Sequence, residues 1–249
     1  MEKDTVIPDP YEDESFFQEY GRMPRSAEGL PAAGEWPQMQ KLLTGLANAT
    51  VLDLGCGYGW HARYAAQQGA RYVLGIDGSR KMLEKARAMT GDARIHYAHV
   101  RMEDFVPDEN AYDVAISNLA LHYISDLRSV YGKVYAALRP GGYFLINMEH
   151  PVFTSGVNQT FITGCDGKGK YWPVDQYFVE GERRTDFLGK GILKQHHTLT
   201  TILNGLIQSG FSLDAVEEVQ PDRAAIEANG WWDELKRPMM LLVKAGKHR

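Results

Sequence analysis

Only two cysteines, Cys56 and Cys165, occur in 249 residues. That is too few for a disulfide framework, and Cys56 sits inside a glycine-rich stretch. No apolar run approaches the roughly 20 residues that cross a bilayer, so no helical membrane span is expected. Basic clusters are missing too, and the net charge is −5, which argues against a nucleic-acid partner. The start, Met1-Glu2-Lys3-Asp4-Thr5, lacks the apolar segment of a signal peptide. No internal repeat or low-complexity tract is visible. These absences lead to the expectation of a cytoplasmic enzyme without membrane or nucleic-acid partners. Hydrophobic content of 44% and charged content of 24% suit a globular chain, either one domain or one domain with an inserted cap.

The stretch around which the chain is organised is Thr50-Val-Leu-Asp-Leu-Gly-Cys-Gly-Tyr-Gly59. Val51, Leu52 and Leu54 suit a short buried strand, and Gly55, Gly57 and Gly59 follow at once. A glycine turn between strand and helix lets a ligand approach the backbone and meet free N–H groups. A second apolar strand, Tyr72-Val-Leu-Gly-Ile-Asp77, ends in an acid. A carboxylate in that place suits the two hydroxyls of a ribose.

Val51 to Gly59, then Gly75-Ile-Asp-Gly-Ser79 with Met82, then Met102-Glu-Asp104, together resemble the class I S-adenosylmethionine (SAM)-dependent methyltransferases. The resemblance runs in order from about residue 50 to 148. It implies an α/β, Rossmann-like class I methyltransferase fold: a seven-stranded, mostly parallel sheet with helices on both faces and a cap insertion after strand 5. The implied cofactor is S-adenosyl-L-methionine. By the same resemblance Gly55, Cys56 and Gly57 pass closest to its methionine part, and Asp53 acts near the amino end. Asp77 takes the ribose hydroxyls, while Gly78 and Met82 flank the adenosine. Met102 meets the adenine ring, Glu103 or Asp104 accepts from its exocyclic amine, and Asn118 completes the cofactor set. The segment Asn118-Leu-Ala-Leu lacks the prolines and stacking aromatic of enzymes that methylate nucleic-acid bases.

Periodicity places strands near 50–54, 71–76, 94–99, 112–117, 141–148, 211–219 and 238–245. Helices are expected near 38–47, 58–68, 79–90 and 125–138, and from Thr198 with Leu199, Ile202, Leu203, Leu206 and Ile207 on one face. Residues 1–37 read as an N-terminal arm or lid, acidic and mobile over 1–15. Residues 38–249 read as the methyltransferase domain, with a substrate cap at about 149–197 that includes a hairpin around Phe187-Leu-Gly189. The arm offers Tyr20 and Arg25, and the cap Tyr177 and Arg183, as acceptor-binding groups. Candidate proton-transfer groups are His150, His197 and His122. The pair His196-His197 is not a metal motif, because strand neighbours face opposite ways, so no metal is expected. The reaction implied is in-line displacement of the methyl group onto oxygen or nitrogen of a small-molecule acceptor, by a monomer or homodimer. Two alternatives compete: an NAD-dependent oxidoreductase, whose fingerprint wants a glycine where Trp60 stands, and a non-catalytic SAM-binding protein.

Overall fold

The computed structural model describes residues 10–156, 159–165 and 170–248. The arm is ordered where it is described. A 3-10 turn at Pro10–Glu12 leads into α1 (Glu14–Arg22), capped by the Asp13 carboxylate accepting from Phe16 N–H. α2 (Pro24–Ala27) and a second 3-10 turn at Leu30–Ala32 follow, then α3 (Trp36–Leu42). The mobile arm expected over 1–15 is therefore corrected for residues 10–15, whereas 1–9 lie outside the described residues. α3 starts earlier and stops sooner than the 38–47 periodicity suggests; Leu43 and Leu46 are still buried, from the loop that follows.

The alternating core then runs β1 (Thr50–Leu54), α4 (Trp60–Gln67), β2 (Tyr72–Asp77), α5 (Arg80–Ala88), β3 (Ile95–His99), β4 (Tyr112–Asn118), α6 (Leu127–Ala137) and β5 (Leu138–Glu149). All five β1 residues are buried, as its continuous apolar run requires of a strand covered on both faces. α6 opens on the Asp126 cap and buries Leu127, Val130, Tyr131 and Val134. Arg139-Pro140-Gly141-Gly142, which follows that helix, lies within β5.

The segment after β5 holds α7 (Pro151–Ser155), the short pair β6 (Ile162–Thr163) and β7 (Lys170–Tyr171), and the hairpin β8 (Gly181–Phe187) with β9 (Lys190–His196). The hairpin turns at Leu188-Gly189, both at positive φ, where a tight two-residue turn needs it. Next come α8 (Leu199–Gln208), β10 (Ser212–Glu218), α9 (Arg223–Asn229), a 3-10 turn at Trp232–Lys236 and β11 (Met240–Gly246). α9 and that turn carry too little periodicity to be foreseen. α8 buries Ile202 and Leu206, but Ile207 is exposed, a correction to the expected face. The Arg237 guanidinium lies 4.9, 5.5 and 4.7 Å from the ring centres of Phe153, Phe161 and Trp172, which pins the β6–β7 pair to the C-terminal segment.

The seven strands order as β3-β2-β1-β4-β5-β11-β10. β1 through β5 pair in parallel, and β11 runs antiparallel to both β5 and β10. One core packs α6 and α8 against one face of the sheet; the other packs α3 and α4 against the opposite face. Strand order reverses between β1 and β4, so the crevice at their carboxyl ends is where a ligand fits. Among the described residues no helix is long and apolar enough to cross a membrane.

Candidate active site

A cavity of about 510 Å³ opens at that edge, a size typical of small-ligand and cofactor sites. The glycine loop forms its floor. Gly55 has φ +69°, and a Cβ there would stand 2.4 Å from Ala120 Cβ, so only glycine lets the loop lie against the end of β4. At Gly57 the missing Cβ would meet no protein atom within 4 Å, which leaves the loop open on that side. Gly57 N–H donates to Asp77 Oδ2 (2.8 Å), and Ser79 N–H donates to Asp77 Oδ1 (2.8 Å). One carboxylate thus ties the loop after β1 to the start of α5. Gly55, Cys56, Gly57, Asp77, Gly78, Met82, Met102, Glu103 and Asn118 all line the cavity.

Asp53 does not line it. Its carboxyl is buried beneath the loop, and burial, reinforced by the charge of Asp77, pushes its pKa up to about 7. The Asp53 carboxylate accepts the Ala62 N–H of α4, so the structure places this residue beneath the loop and outside the cavity in which the cofactor role was expected of it.

The arm closes the other side. Tyr11, Tyr20 and Arg25 line the cavity together with Leu30, Tyr123 and Ile192. Tyr11 and Tyr123 share a hydrogen bond between hydroxyls (2.9 Å), and the Tyr20 ring meets Tyr58 edge-on at 5.8 Å. Trp60 stands in the wall with the Arg63 guanidinium 4.3 Å from its ring centre.

A polar chain crosses this aromatic wall. Arg25 Nη2 donates to Glu35 Oε2 (2.6 Å), Asn118 Nδ2 donates to Glu35 Oε1 (3.2 Å), and Asn147 Nδ2 donates to Asn118 Oδ1 (2.7 Å). Glu35 can only accept, so it fixes the orientation of both amides. Glu35 and His61 line the cavity and were not singled out in the sequence. His61 lies in the first turn of α4, directly after the loop, and that position was the available signal. Burial lowers its pKa to about 4, with Glu35 raising and Arg25 lowering it further, so the imidazole is neutral at pH 7.

The structure places the other catalytic and acceptor candidates outside the main cavity. His150 is buried as the cap of α7, its Nδ1 accepting from Val152 N–H (3.0 Å). His197 is buried, with Nε2 bonded to the Ile124 carbonyl oxygen (2.8 Å), and borders a separate polar cleft near α8. Tyr177 accepts from Leu199 N–H (3.2 Å), and Arg183 donates to the carbonyls of Gln176, Val179 and Glu182. Each of these side chains satisfies the backbone of the hairpin or its neighbours, and none lines the main cavity.

His122 is also buried behind the wall, where burial lowers its pKa to about 4 from 6.5, Glu149 raising and Lys194 lowering it. The folded state then refuses a proton that the unfolded chain accepts. Stability contributed by this group is present above pH 6.5 and is lost as pH falls towards 4, by about 1.4 kcal/mol per pH unit. Urea midpoints between pH 6.5 and 5 are expected to fall with this contribution added to the like one of His61. His122→Gln is expected to flatten that fall by about the first of the two.

A mostly parallel sheet with its cavity at the switch point and a carboxylate at the end of the second strand defines a nucleotide-cofactor enzyme of the Rossmann-like class. Comparison narrows the class. A methyltransferase domain family matches residues 51–142. A solved Mesorhizobium loti S-adenosylmethionine-dependent methyltransferase is 43% identical, with TM-score 0.82 over 87% of this chain and 99% of that one. A Listeria monocytogenes protein assigned to the same enzymes is 43% identical, with TM-score 0.83 over 89% of this chain and 100% of its own. The chain belongs to the S-adenosylmethionine-dependent methyltransferases. It is therefore an enzyme that uses SAM, which sets aside the NAD-dependent and non-catalytic alternatives. The residues present fit that cofactor: an open glycine loop, a carboxylate beside it, and the apolar Met82 and Met102 lie along one cavity. Partial relatives differ in what they act on. The malonyl-[acyl-carrier protein] O-methyltransferase of Salmonella typhimurium is 41% identical over 41% of this chain and 39% of its own length. Others are named for tRNA U34 and for phosphoethanolamine.

Proposed function

We propose that the enzyme transfers the methyl group of SAM to an oxygen or nitrogen of a small-molecule acceptor. The observation that carries this reading is the aromatic room roofed by the arm, in which Tyr11, Tyr20 and Arg25 close over Tyr123 and Ile192. A roofed room of this kind suits a compact acceptor better than a polymer, and the charge of −5 offers no electrostatic attraction to nucleic acid. In this reading residues 1–37 serve as the lid, and the insertion at about 149–197 contributes mainly through Gly191, Ile192 and Leu193 at the cavity wall.

When bound, SAM supplies an activated methyl group on a sulfonium that leaves readily, so the protein mainly aligns the reactants and excludes water. Gly55, Cys56 and Gly57 would hold the methionine part, Asp77 the ribose, and Gly78, Met82, Met102 and Glu103 the adenosine. Asn118, at the end of β4 and held by Glu35, would line the same site. Tyr20 and Arg25 orient the acceptor. His61, neutral and facing the cavity, accepts the proton that a hydroxyl or an ammonium nucleophile must lose, and the nearby Glu35 carboxylate favours the resulting imidazolium.

Incubation with methyl-labelled SAM and pooled phenols, carboxylic acids and amines is expected to yield labelled small product. His61→Asn is expected to lower turnover about 100-fold, within the usual range for losing a general base, without changing affinity for S-adenosylhomocysteine (SAH). Label appearing only in RNA or in acyl-carrier protein would overturn the small-molecule reading.

A further inference from the structure

Glu12-Asp13-Glu14 reads as a solvated acidic tail, yet each acid is fastened to a different group. Asp13, besides capping α1, pairs with Lys190 of β9 at 2.6 Å, and Glu14 pairs with Lys81 of α5 at 2.6 Å. Glu12 does more. Its Oε1 accepts from Ser79 Oγ (2.8 Å), Arg80 N–H (2.6 Å) and Lys81 N–H (3.4 Å). These are donors at the start of α5, which otherwise lack helical partners and lie at the positive end of the helix. Ser79 itself caps α5 through Met82 N–H (3.2 Å) and donates its own N–H to Asp77 (2.8 Å), whose second oxygen receives Gly57 N–H (2.8 Å). A continuous path of hydrogen bonds therefore runs from the arm, through Ser79 and Asp77, to the glycine loop.

We propose that Glu12 is a positioning residue for the cofactor, holding Ser79 and through it the Asp77 carboxylate, and that this link couples cofactor binding to docking of the arm. The inference rests on Asp77 being the cofactor acid, so its test carries Asp77→Ala alongside. The exposed Asp13 and Glu14 pairs dock the arm but do not reach Asp77. Coupling of this kind is reciprocal: if arm docking tightens cofactor binding, the cofactor tightens arm docking by the same factor.

The experiment is calorimetric titration of the full chain with SAH, paired with limited trypsin digestion after Arg22 and Arg25. Glu12→Ala is expected to weaken SAH binding about tenfold and to raise by the same factor the SAH concentration that protects the arm. Glu12→Gln keeps an acceptor oxygen at the same reach and is expected to stay within about threefold of wild type. Glu19→Ala, on the solvent side of α1, is expected to change nothing. If Glu12→Ala lowers the ligand-free melting midpoint, Ser79→Ala breaks the same path from the other end. The double variant should then bind no more weakly than the weaker single variant. Glu12→Ala within twofold of wild type, or fully additive losses in the double variant, overturns the proposal. Should Asp77→Ala bind SAH normally, the cofactor assignment fails instead; Asp77→Ala losing SAH while Glu12→Ala keeps it leaves only the Glu12 role refuted.

Discussion

Asp77→Ala is expected to cost at least about 100-fold in SAM and SAH affinity, the largest loss of any single substitution in the cavity. Two hydrogen bonds from ribose hydroxyls to a carboxylate contribute about 1.5–3 kcal/mol each, and tenfold in affinity is about 1.4 kcal/mol. The substitution also removes the clamp that receives both Gly57 N–H and Ser79 N–H, so the loop and the start of α5 lose their common anchor. Asp77→Asn is expected to recover little. One of its two oxygens becomes an amino group, which then faces a backbone donor and can accept nothing. Titration with SAH measures both variants, and near wild-type binding by the asparagine form would show that the clamp geometry does not matter.

The second large effect falls on stability. Lys194 of β9 pairs with Glu149 at the end of β5 at 2.5 Å, with side chains 6% and 12% exposed. Lys194→Met leaves the Glu149 carboxylate buried without its cation. Breaking one side of a buried pair costs about 3–5 kcal/mol. For a chain of this size that lowers the melting midpoint by about 10 °C. Replacing both partners, Glu149→Gln with Lys194→Met, removes the stranded charge and is expected to restore most of the loss. Chemical denaturation of the two variants gives the comparison, and a double variant no better than the single one would place the effect in packing rather than charge.

The parts of the fold and site that could be read from sequence are those built from neighbours in the chain. The loop from Gly55 to Gly59, the acid closing β2 and the α6 stripe each carry their geometry in a few consecutive residues, and the structure places them as expected. The parts that could not be read depend on contacts across long separations. Glu35 reaches Asn118 over 83 positions, and nothing local distinguishes it from any acid before a Trp-Pro pair. Histidines misled for a related reason. His150 precedes a proline at the start of a short helix, which is a capping position, whereas its chemistry alone suggested proton transfer. Arg183 serves the carbonyls of Gln176, Val179 and Glu182, and Tyr177 the N–H of Leu199 at the start of α8, as polar side chains in irregular segments often must. Asp53 shows the finer limit: its place in the motif was legible, but which way its carboxyl turns was not.

Trp60 gives the chain a built-in optical gauge. Its indole forms part of the cavity wall beside Arg63, while Trp231 and Trp232 are 54% and 51% exposed on the far C-terminal segment. Emission from the exposed pair reports solvent and lies to the red, and a ligand in the cavity leaves it unchanged. The bluer component contains Trp60, whose ring forms part of the wall that a ligand in the cavity would face. Occupancy of the room beneath the arm is thus written into the short-wavelength edge of the protein's own fluorescence, with no added dye.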